Sequence, residues 1–566
     1  MSYPIYTKEP VFRNKLLPYV LLSLSQGVFA QQSPSAGSQL QQIPPVPVPQ
    51  REAPKVELAP VAAPLQGSES ARILVKSLKI TGANVYSEAE LLTITGFKPG
   101  SELSLADLRG MASRITDHYH RNGYFVAQAY LPAQEIKDGA VTIAVIDGRY
   151  GKVSVNNQTN LSNDLANDRL AGLNSGDPIA SAPLESRLLL LSDLPGVKVK
   201  ATLVPGASAG ASDLIVDLTP GRRVSGSVDA DNAGNYYTGA NRVGATVNLN
   251  NPTGRGDVAT LRALTSGSGL NYARASYQTQ FGRATAGVAY SWLGYKLGRE
   301  FESLGANGTA KVASIYGSYP LIRSRNSNLS AGLAYDAKKF QDKVDSTGAI
   351  TDKKAQVLTA SLYGDQRDNF GGGGLSGYSL ALSTGKIDIQ TPAARSFDAA
   401  TAQSNGSFNK LGFSALRLQG LTESLSFYAS VNGQIASKNL DASEKMSLGG
   451  MYAVRAYPQG EASGDQGYVL NLEARWTLPK FSTQLPGQLQ LIGFVDTGSV
   501  TINKNPWPPE TGPNRRTLSG AGVGLTWSET NNFVVRTYYA HKLGNEVSTA
   551  APDRSGRFWI QGVKYF

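Results

Sequence analysis

The sequence predicts a membrane β-barrel of about sixteen antiparallel strands preceded by two small α/β modules of order β-α-α-β-β. Three observations carry this. From residue 221 to Phe566 apolar residues recur at every second position; no apolar run there approaches the ~20 residues of a membrane helix; and a duplicated strand-helix-helix-strand-strand pattern stands ahead of that region.

The alternation is plain in Val243, Ala245, Val247 and Leu249, which share one face, while Arg242, Thr246, Asn248 and Asn250 fall on the other. It returns in Ala286, Val288, Tyr290 and Trp292, in Leu329, Ala331, Leu333 and Tyr335, and in Leu470, Leu472, Ala474 and Trp476 interleaved with Asn471, Glu473 and Arg475. A soluble sandwich also alternates, so the number of strands, the aromatics at strand ends and an exported start decide for the barrel. At roughly 20 to 22 residues per strand and connection, the region 221–566 holds about sixteen strands, an even number as such barrels require.

Lys8, Arg13 and Lys15 precede an apolar run at 16–24, and Val28 and Ala30 are small residues of the kind a signal peptidase reads. Residues 1–30 therefore read as a secretory signal peptide, too short to anchor the chain. In 31–70, Pro44, Pro45, Pro47, Pro49, Pro54, Pro60 and Pro64 mark an extended leader. At about 3.1 Å per residue its part after Ile43 reaches on the order of 80 Å. Only 39–43 suits a helix before the prolines, whereas crossing ~30 Å takes about twenty helical residues, so a partly extended pore occupant is expected in place of a long helix.

The first module, 71–148, begins with a strand at 74–81. Two helices follow, opened by Ser87 with Glu90 and by Ser104 with Asp107, each spaced as a capping box. Leu105, Leu108, Met111, Ala112, Ile115 and Tyr119 share a helical face. Strands at 125–131 and 140–146, turned by Asp138-Gly139, complete it. The second module, 149–220, repeats the order with a strand at 151–155, helices at 161–173 and 184–194, and strands at 197–205 and 212–219.

The chain has no cysteine, which excludes disulfides, thiolate metal sites and a cysteine nucleophile. His118, His120 and His541 form no metal-ligand pattern. The net charge of +11 is scattered singly, unlike a nucleic-acid surface, and suits a lumen lining and contact with anionic lipid. The string at 206–210 matches a nucleophile elbow without its strand-turn-helix setting, and 372–377 matches a dinucleotide loop with no following helix. Both read as hairpin glycines. No catalytic residue, cofactor or metal is expected, and the chain does not read as an enzyme.

Two such modules ahead of a carboxy-terminal barrel, with Val454-Arg455-Ala456-Tyr457 continuing through Pro458, Gln459 and Gly460 to Gly467, resemble the outer-membrane translocators of two-partner secretion (the TpsB family of haemolysin secretion/activation proteins). Asp231-Asn232-Ala233-Gly234, Gly239, Arg242 and the turn at 250–257 extend the resemblance, which spans essentially the whole mature chain. The turn also contains Arg255-Gly256-Asp257, a tripeptide of cell adhesion, but a turn on the periplasmic side has no such use. Ala456 stands where the superfamily has glycine.

The resemblance implies that the modules are polypeptide-transport-associated (POTRA) domains in the periplasm of a Gram-negative bacterium and that the barrel, 221–566, sits in the outer membrane. It implies an inward loop at 449–467 whose lock comprises Val454, Arg455, Tyr457 and Asp496, with Arg455 paired to Asp496. It also places a client groove on the second module at Leu184, Arg187, Leu188, Leu191, Val197, Val199 and Leu203, although one helical face must in any case be core. Phe558, Ile560 and Phe566 resemble the terminal signal for barrel insertion, interrupted by Lys564, which can snorkel.

The implied function is capture of an unfolded exoprotein, a large β-helical adhesin, cytolysin or similar, and its secretion through the barrel without nucleotide hydrolysis. Periplasmic chaperones, the barrel assembly machinery and outer-membrane lipid are the other expected partners, and nucleic acid is not. The alternative is an insertase for other barrels, but such proteins usually carry more modules.

Overall fold

The computed structural model describes residues 34–48, 56–58, 72–480, 485–508 and 512–566. The signal peptide expected at 1–30 and most of the proline-rich leader lie outside the described residues.

Residues 224–565 form one closed barrel of sixteen strands, each antiparallel to its neighbours. Strands run from the eight residues of Val224–Asp231 to the twenty of Ala349–Asp368. The first, Val224–Asp231, meets the last, Gly556–Tyr565, over Ser227 to Asp231 against Tyr565 to Gln561, and this five-residue seam closes the cylinder. Closure leaves no free sheet edge in the bilayer, where every backbone amide must be satisfied within the protein.

The two-residue period sorts the faces as the sequence indicates. Val243 and Val247 stand exposed toward lipid while Arg242 and Thr246 are buried inside. Within the first three strands, inward Arg242 donates from Nε to Asp231 Oδ1 at 2.9 Å, and Arg262 Nη2 reaches Asp229 Oδ2 at 2.9 Å. The lumen is not polar throughout, however. Leu264, Leu293, Tyr295, Phe340, Val357 and Phe408 point inward and form an apolar cluster in the half of the barrel beneath the long loops.

Short turns mark the other end, where the α/β modules dock. In the second module the sheet comprises Arg149–Asn157, Val197–Pro205 and Ala211–Pro220, backed by helices Asn163–Leu170 and Ser181–Ser192. This is the β-α-α-β-β order the sequence gives, and 206–210 is the hairpin loop expected there, with Gly206 N donating to Ala211 O at 2.9 Å. The module is fastened to the barrel by Arg323, whose Nε and Nη2 reach the two Asp193 oxygens at 2.7 and 2.9 Å, and by Arg325 to Glu185 at 2.6 Å. The turn at 251–257 rests on the same module. Asp257 is fully buried and accepts from the Thr253 and Arg255 amides, and Gly256 is buried as well, so Arg255-Gly256-Asp257 is a docked turn of which only the arginine is exposed.

The first module departs from the simple order. An extra strand, Ser101–Ser104, lies between helices Glu88–Thr95 and Leu105–Arg121. It pairs with Arg72–Val75, so the single strand expected at 74–81 divides at Lys76; its second half, Ser77–Thr81, runs parallel to Ala140–Ile146. The strand expected at 125–131 shrinks to Gln128–Tyr130, because 124–127 close a turn in which the Ala127 amide donates to Tyr124 O. Ser104 and Asp107 form a reciprocal capping box, whereas Ser87 accepts from the Glu90 amide. The Ser104 amide and hydroxyl hold the Asp107 carboxyl below its usual range.

Candidate functional site

The connection between the strands Leu425–Ala436 and Gln466–Thr477 does not stay outside the barrel. It folds into the lumen and brings Arg455 against the wall formed by Gln466–Thr477 and Gln488–Thr501. There the Arg455 amide and Nε donate to Asp496 Oδ2 at 3.0 and 2.9 Å, and Nη2 to Oδ1 at 2.7 Å. Nη1 reaches Glu473 Oε1 at 2.8 Å. The guanidinium lies 3.5 Å from the Phe494 ring centroid and 4.9 Å from that of Tyr538, a cation-π sandwich.

Arginine and both carboxylates are nearly without solvent exposure, so this contact is of the desolvated, hydrogen-bonded kind in which a planar fork matters most. Asn471 closes it by donating to Asp496 Oδ1 at 2.7 Å and to the Ala453 carbonyl at 2.9 Å. Trp559 Nε1 donates to the Arg455 carbonyl at 2.7 Å, which ties the loop to the last strand as well.

Val454, Ala456 and Tyr457 are wholly buried with Leu448, Val469, Phe494 and Leu518. The sequence indicates Val454, Arg455, Tyr457 and Asp496, and the structure brings all four together. Ala456 fits because its backbone is not left-handed and because Gly520 faces it: a Cβ on Gly520 would stand 2.4 Å from the Ala456 methyl. Glu473 and Asn471 also hold the loop, and in the sequence they stand out only as polar residues on an inward parity.

The loop is held at a second wall by residues that no motif announces. Glu444 accepts from Lys338 at 2.7 Å and Lys410 at 2.8 Å, and Asp441 from Lys353 at 2.8 Å. Further on, Glu461 pairs with Arg516 Nη1 at 2.6 Å and accepts the Thr549 and Ala550 amides. Those amides belong to the outer loop 543–555, whose Asp553 carboxyl is held down at about 2 by Lys542 at the end of the preceding strand and then by the Ser548 amide.

A short helix, Ala36–Gln41, shares the lumen. Ser35 and Ser38 cap it reciprocally, the Ala36 amide donates to Asp342 at 2.7 Å, and Gln39 accepts from Thr238 at 2.9 Å. Gly37 lies so close to the loop that a Cβ there would stand 2.7 Å from Ser443 Cβ, and Gln41 donates to the Ser443 carbonyl. The expectation of a partly extended occupant is thus corrected in one respect: a helix of six residues fits before the prolines, because it has only to fill a pocket in the lumen and not to cross the bilayer.

A family model for the haemolysin secretion/activation proteins ShlB/FhaC/HecB matches residues 210–527, and one for the ShlB-type POTRA domain matches 73–148. The chain belongs to the haemolysin secretion/activation protein family. It is similar to the heme/hemopexin transporter protein HuxB of Haemophilus influenzae, 32% identical over 473 residues that cover 82% of each chain. It is also similar to the outer membrane transporter CdiB of Dickeya dadantii, 23% identical over 82% of this chain and 83% of the relative. Among solved structures, CdiB from Escherichia coli superposes with a TM-score of 0.67 at 19% identity, covering 89% of this chain and 93% of that one. BamA from Haemophilus ducreyi gives 0.52 at 15% identity over 87% of this chain and all of the other, a likeness of fold alone. This member of the haemolysin secretion/activation family is an outer-membrane secretion transporter with a periplasmic POTRA region.

In this transporter the residues expected to form a client groove are placed differently from that expectation. Leu184, Leu188, Leu191, Val197 and Leu203 are buried within the second module. One face of Ser181–Ser192 has to supply that core, and these leucines do so. Arg187 and Val199 remain half-buried. The edge of strand Val197–Pro205 is occupied by the leader itself, whose Val56–Leu58 runs parallel to Ala201, Thr202 and Leu203. Beside it Lys200 binds Glu57 at 2.9 Å, and that hydrogen bond raises the lysine's pKa. At the carboxy terminus Phe558, Ile560 and Phe566 face outward. Lys564, on the same face, reaches Asn532 in the neighbouring short turn, as a snorkelling lysine does.

Proposed function

We propose that the protein exports one large β-rich exoprotein, captured unfolded in the periplasm by the second module and threaded through the barrel without nucleotide hydrolysis. The single observation that carries the reading is Val56–Leu58 seated on the edge of Val197–Pro205. An edge that accepts a strand from the chain's own leader accepts one from a client by the same backbone hydrogen bonds. In this reading capture displaces the leader, the leader draws Ala36–Gln41 out of the lumen, and the loop around Arg455 gives way to the client. Folding outside makes return unfavourable and supplies the direction.

Residues 1–30 then serve as a signal peptide and 31–70 as a leader, ahead of modules at 71–148 and 149–220. Chaperones that keep the client unfolded, the barrel assembly machinery that reads Phe558, Ile560 and Phe566, and surrounding lipid complete the set of partners. Likeness to a heme/hemopexin transporter favours a haem-acquiring exoprotein over an adhesin or cytolysin as client.

Co-expression with the long β-helical product of a neighbouring reading frame tests this. Export of that product is expected only when this protein is present, and depletion is expected to leave other outer-membrane barrels at normal abundance. General loss of barrels on depletion would refute the reading in favour of an insertase.

A further inference from the structure

The outward face of the barrel carries a row of lysines where lipid should lie. Lys311 in Ala306–Arg323 stands directly opposite Lys339 in Ser327–Val344, and Lys339 directly opposite Lys354 in Ala349–Asp368. All three are exposed, and their neighbours in sequence show which way they point. Val312, Lys338 and Lys353 face the lumen, the two lysines pairing with Glu444 and Asp441, so Lys311, Lys339 and Lys354 face out. Trp292 extends the row on one side. Lys386, opposite Gln356, adds a fourth outward ammonium.

None of the four forms an ion pair among the described residues. Asp388, in register with Lys354, is taken by Arg395 at 3.5 Å. Like charges directly opposed across strands repel, and lysine on a lipid face is destabilising except near the interface. Three in one rank therefore call for a counter-anion.

Depth supplies the second observation. Below the row the same face is apolar, with Ile315, Leu333, Tyr335 and Leu358 exposed, and it continues to Leu321 near the short turn at 324–326. From Lys311 to Leu321 is about ten residues, one tilted crossing of the hydrocarbon. The row thus lies at headgroup level on the side of the long loops, the outer leaflet. With strands ~4.8 Å apart, it spans about 10 Å.

We propose that Lys311, Lys339 and Lys354, with Lys386 and Trp292 at the flanks, bind a phosphorylated glycolipid of the outer leaflet. Its phosphates lie across the lysines and its acyl chains lie along Ile315, Leu333 and Leu358. Each lysine near an anionic lipid surface is worth about fivefold in binding, so three together are worth on the order of a hundredfold.

The test uses the full mature chain in detergent and native mass spectrometry with three probes: bisphosphorylated lipid A, the same lipid with its phosphates removed, and phosphatidylethanolamine. Expected is retention of bisphosphorylated lipid A alone, reduced on the order of a hundredfold in the K311Q/K339Q/K354Q variant and preserved in K311R/K339R/K354R. Equal retention by the glutamine variant, or of the dephosphorylated lipid by the unaltered protein, overturns the proposal. Heat-modified gel mobility reports whether the variant barrel is folded. The phosphate-removal arm decides the matter on the unaltered protein even if it is not.

Discussion

Arg455 meets Asp496 through three hydrogen bonds, one from the backbone amide and two from the guanidinium, at 2.7 to 3.0 Å, with both residues almost wholly buried. The loop is thereby fixed at one point by charge, backbone and ring stacking together. Removing one partner of such a pair leaves a buried charge uncompensated, at a cost of about 3 to 5 kcal/mol. The variant R455A is therefore expected to free the loop, raise the resting conductance of the barrel in planar bilayers and cut export, while the barrel still assembles. R455K should recover only part of this, since an ammonium cannot reproduce the fork. Resting currents indistinguishable from those of the unaltered protein would sink the assignment.

The second anchorage gives a graded expectation. Glu444 holds two lysines from strands on another part of the wall, each less completely buried than Arg455. Hydrogen bonds to charged groups are worth about 1.5 to 3 kcal/mol, so E444Q should open the barrel less often than R455A. The double variant K338Q/K410Q, which leaves the almost fully buried Glu444 carboxylate without a cation, should open the barrel at least as often as E444Q. If E444Q opened the barrel more than R455A, Glu444 and not Arg455 would be the principal lock.

Gly37 couples the helix to the loop. A methyl group there would stand 2.7 Å from Ser443 Cβ and 3.0 Å from its backbone, and overpacking of this sort costs about 1 to 3 kcal/mol. In G37A the helix should leave the lumen more readily. The chain has no cysteine, so a single Ser38→Cys substitution reports its position by the rate of maleimide labelling. Labelling is expected to quicken several-fold in G37A. An unchanged rate would mean that the close approach to Ser443 is relieved without moving the helix.

How far the sequence discloses this arrangement differs from part to part, for physical reasons. The barrel is legible because a two-residue period is imposed on every strand by the contrast between lipid and lumen, and Val243 against Arg242 already shows it. Arg455 with Asp496 is legible through a motif. Glu473 is less so, because an acidic residue on an inward parity reads equally well as lumen lining. Glu444 and Asp441 leave no local signal: their lysines come from strands about 30 to 110 residues away, and only closure of the barrel brings them near. The buried leucines of Ser181–Ser192 show the reverse case, since an apolar helical face looks the same whether it covers a core or a groove.

The leader strand offers the sharpest separation of causes. Val56–Leu58 pairs with Ala201 to Leu203 through its backbone, while Glu57 adds an ion pair to Lys200 in which both side chains are more than half exposed. An exposed pair contributes little, about 0 to 1 kcal/mol, whereas proline is tolerated on an edge strand only where its missing amide would face away from the partner; of two successive residues one amide must face Val197–Pro205, so prolines at both remove it. E57Q should therefore leave the edge covered and the double variant V56P/E57P should uncover it. With the edge free, a peptide from the client's amino-terminal region no longer competes with a tethered strand, and its affinity is expected to rise about tenfold or more, because a tethered competitor acts at millimolar effective concentration. Fluorescence anisotropy with a labelled client peptide measures this on the full chain. A rise in E57Q equal to that in V56P/E57P would locate the effect in the ion pair, and no rise in either would show that clients bind elsewhere than on this edge.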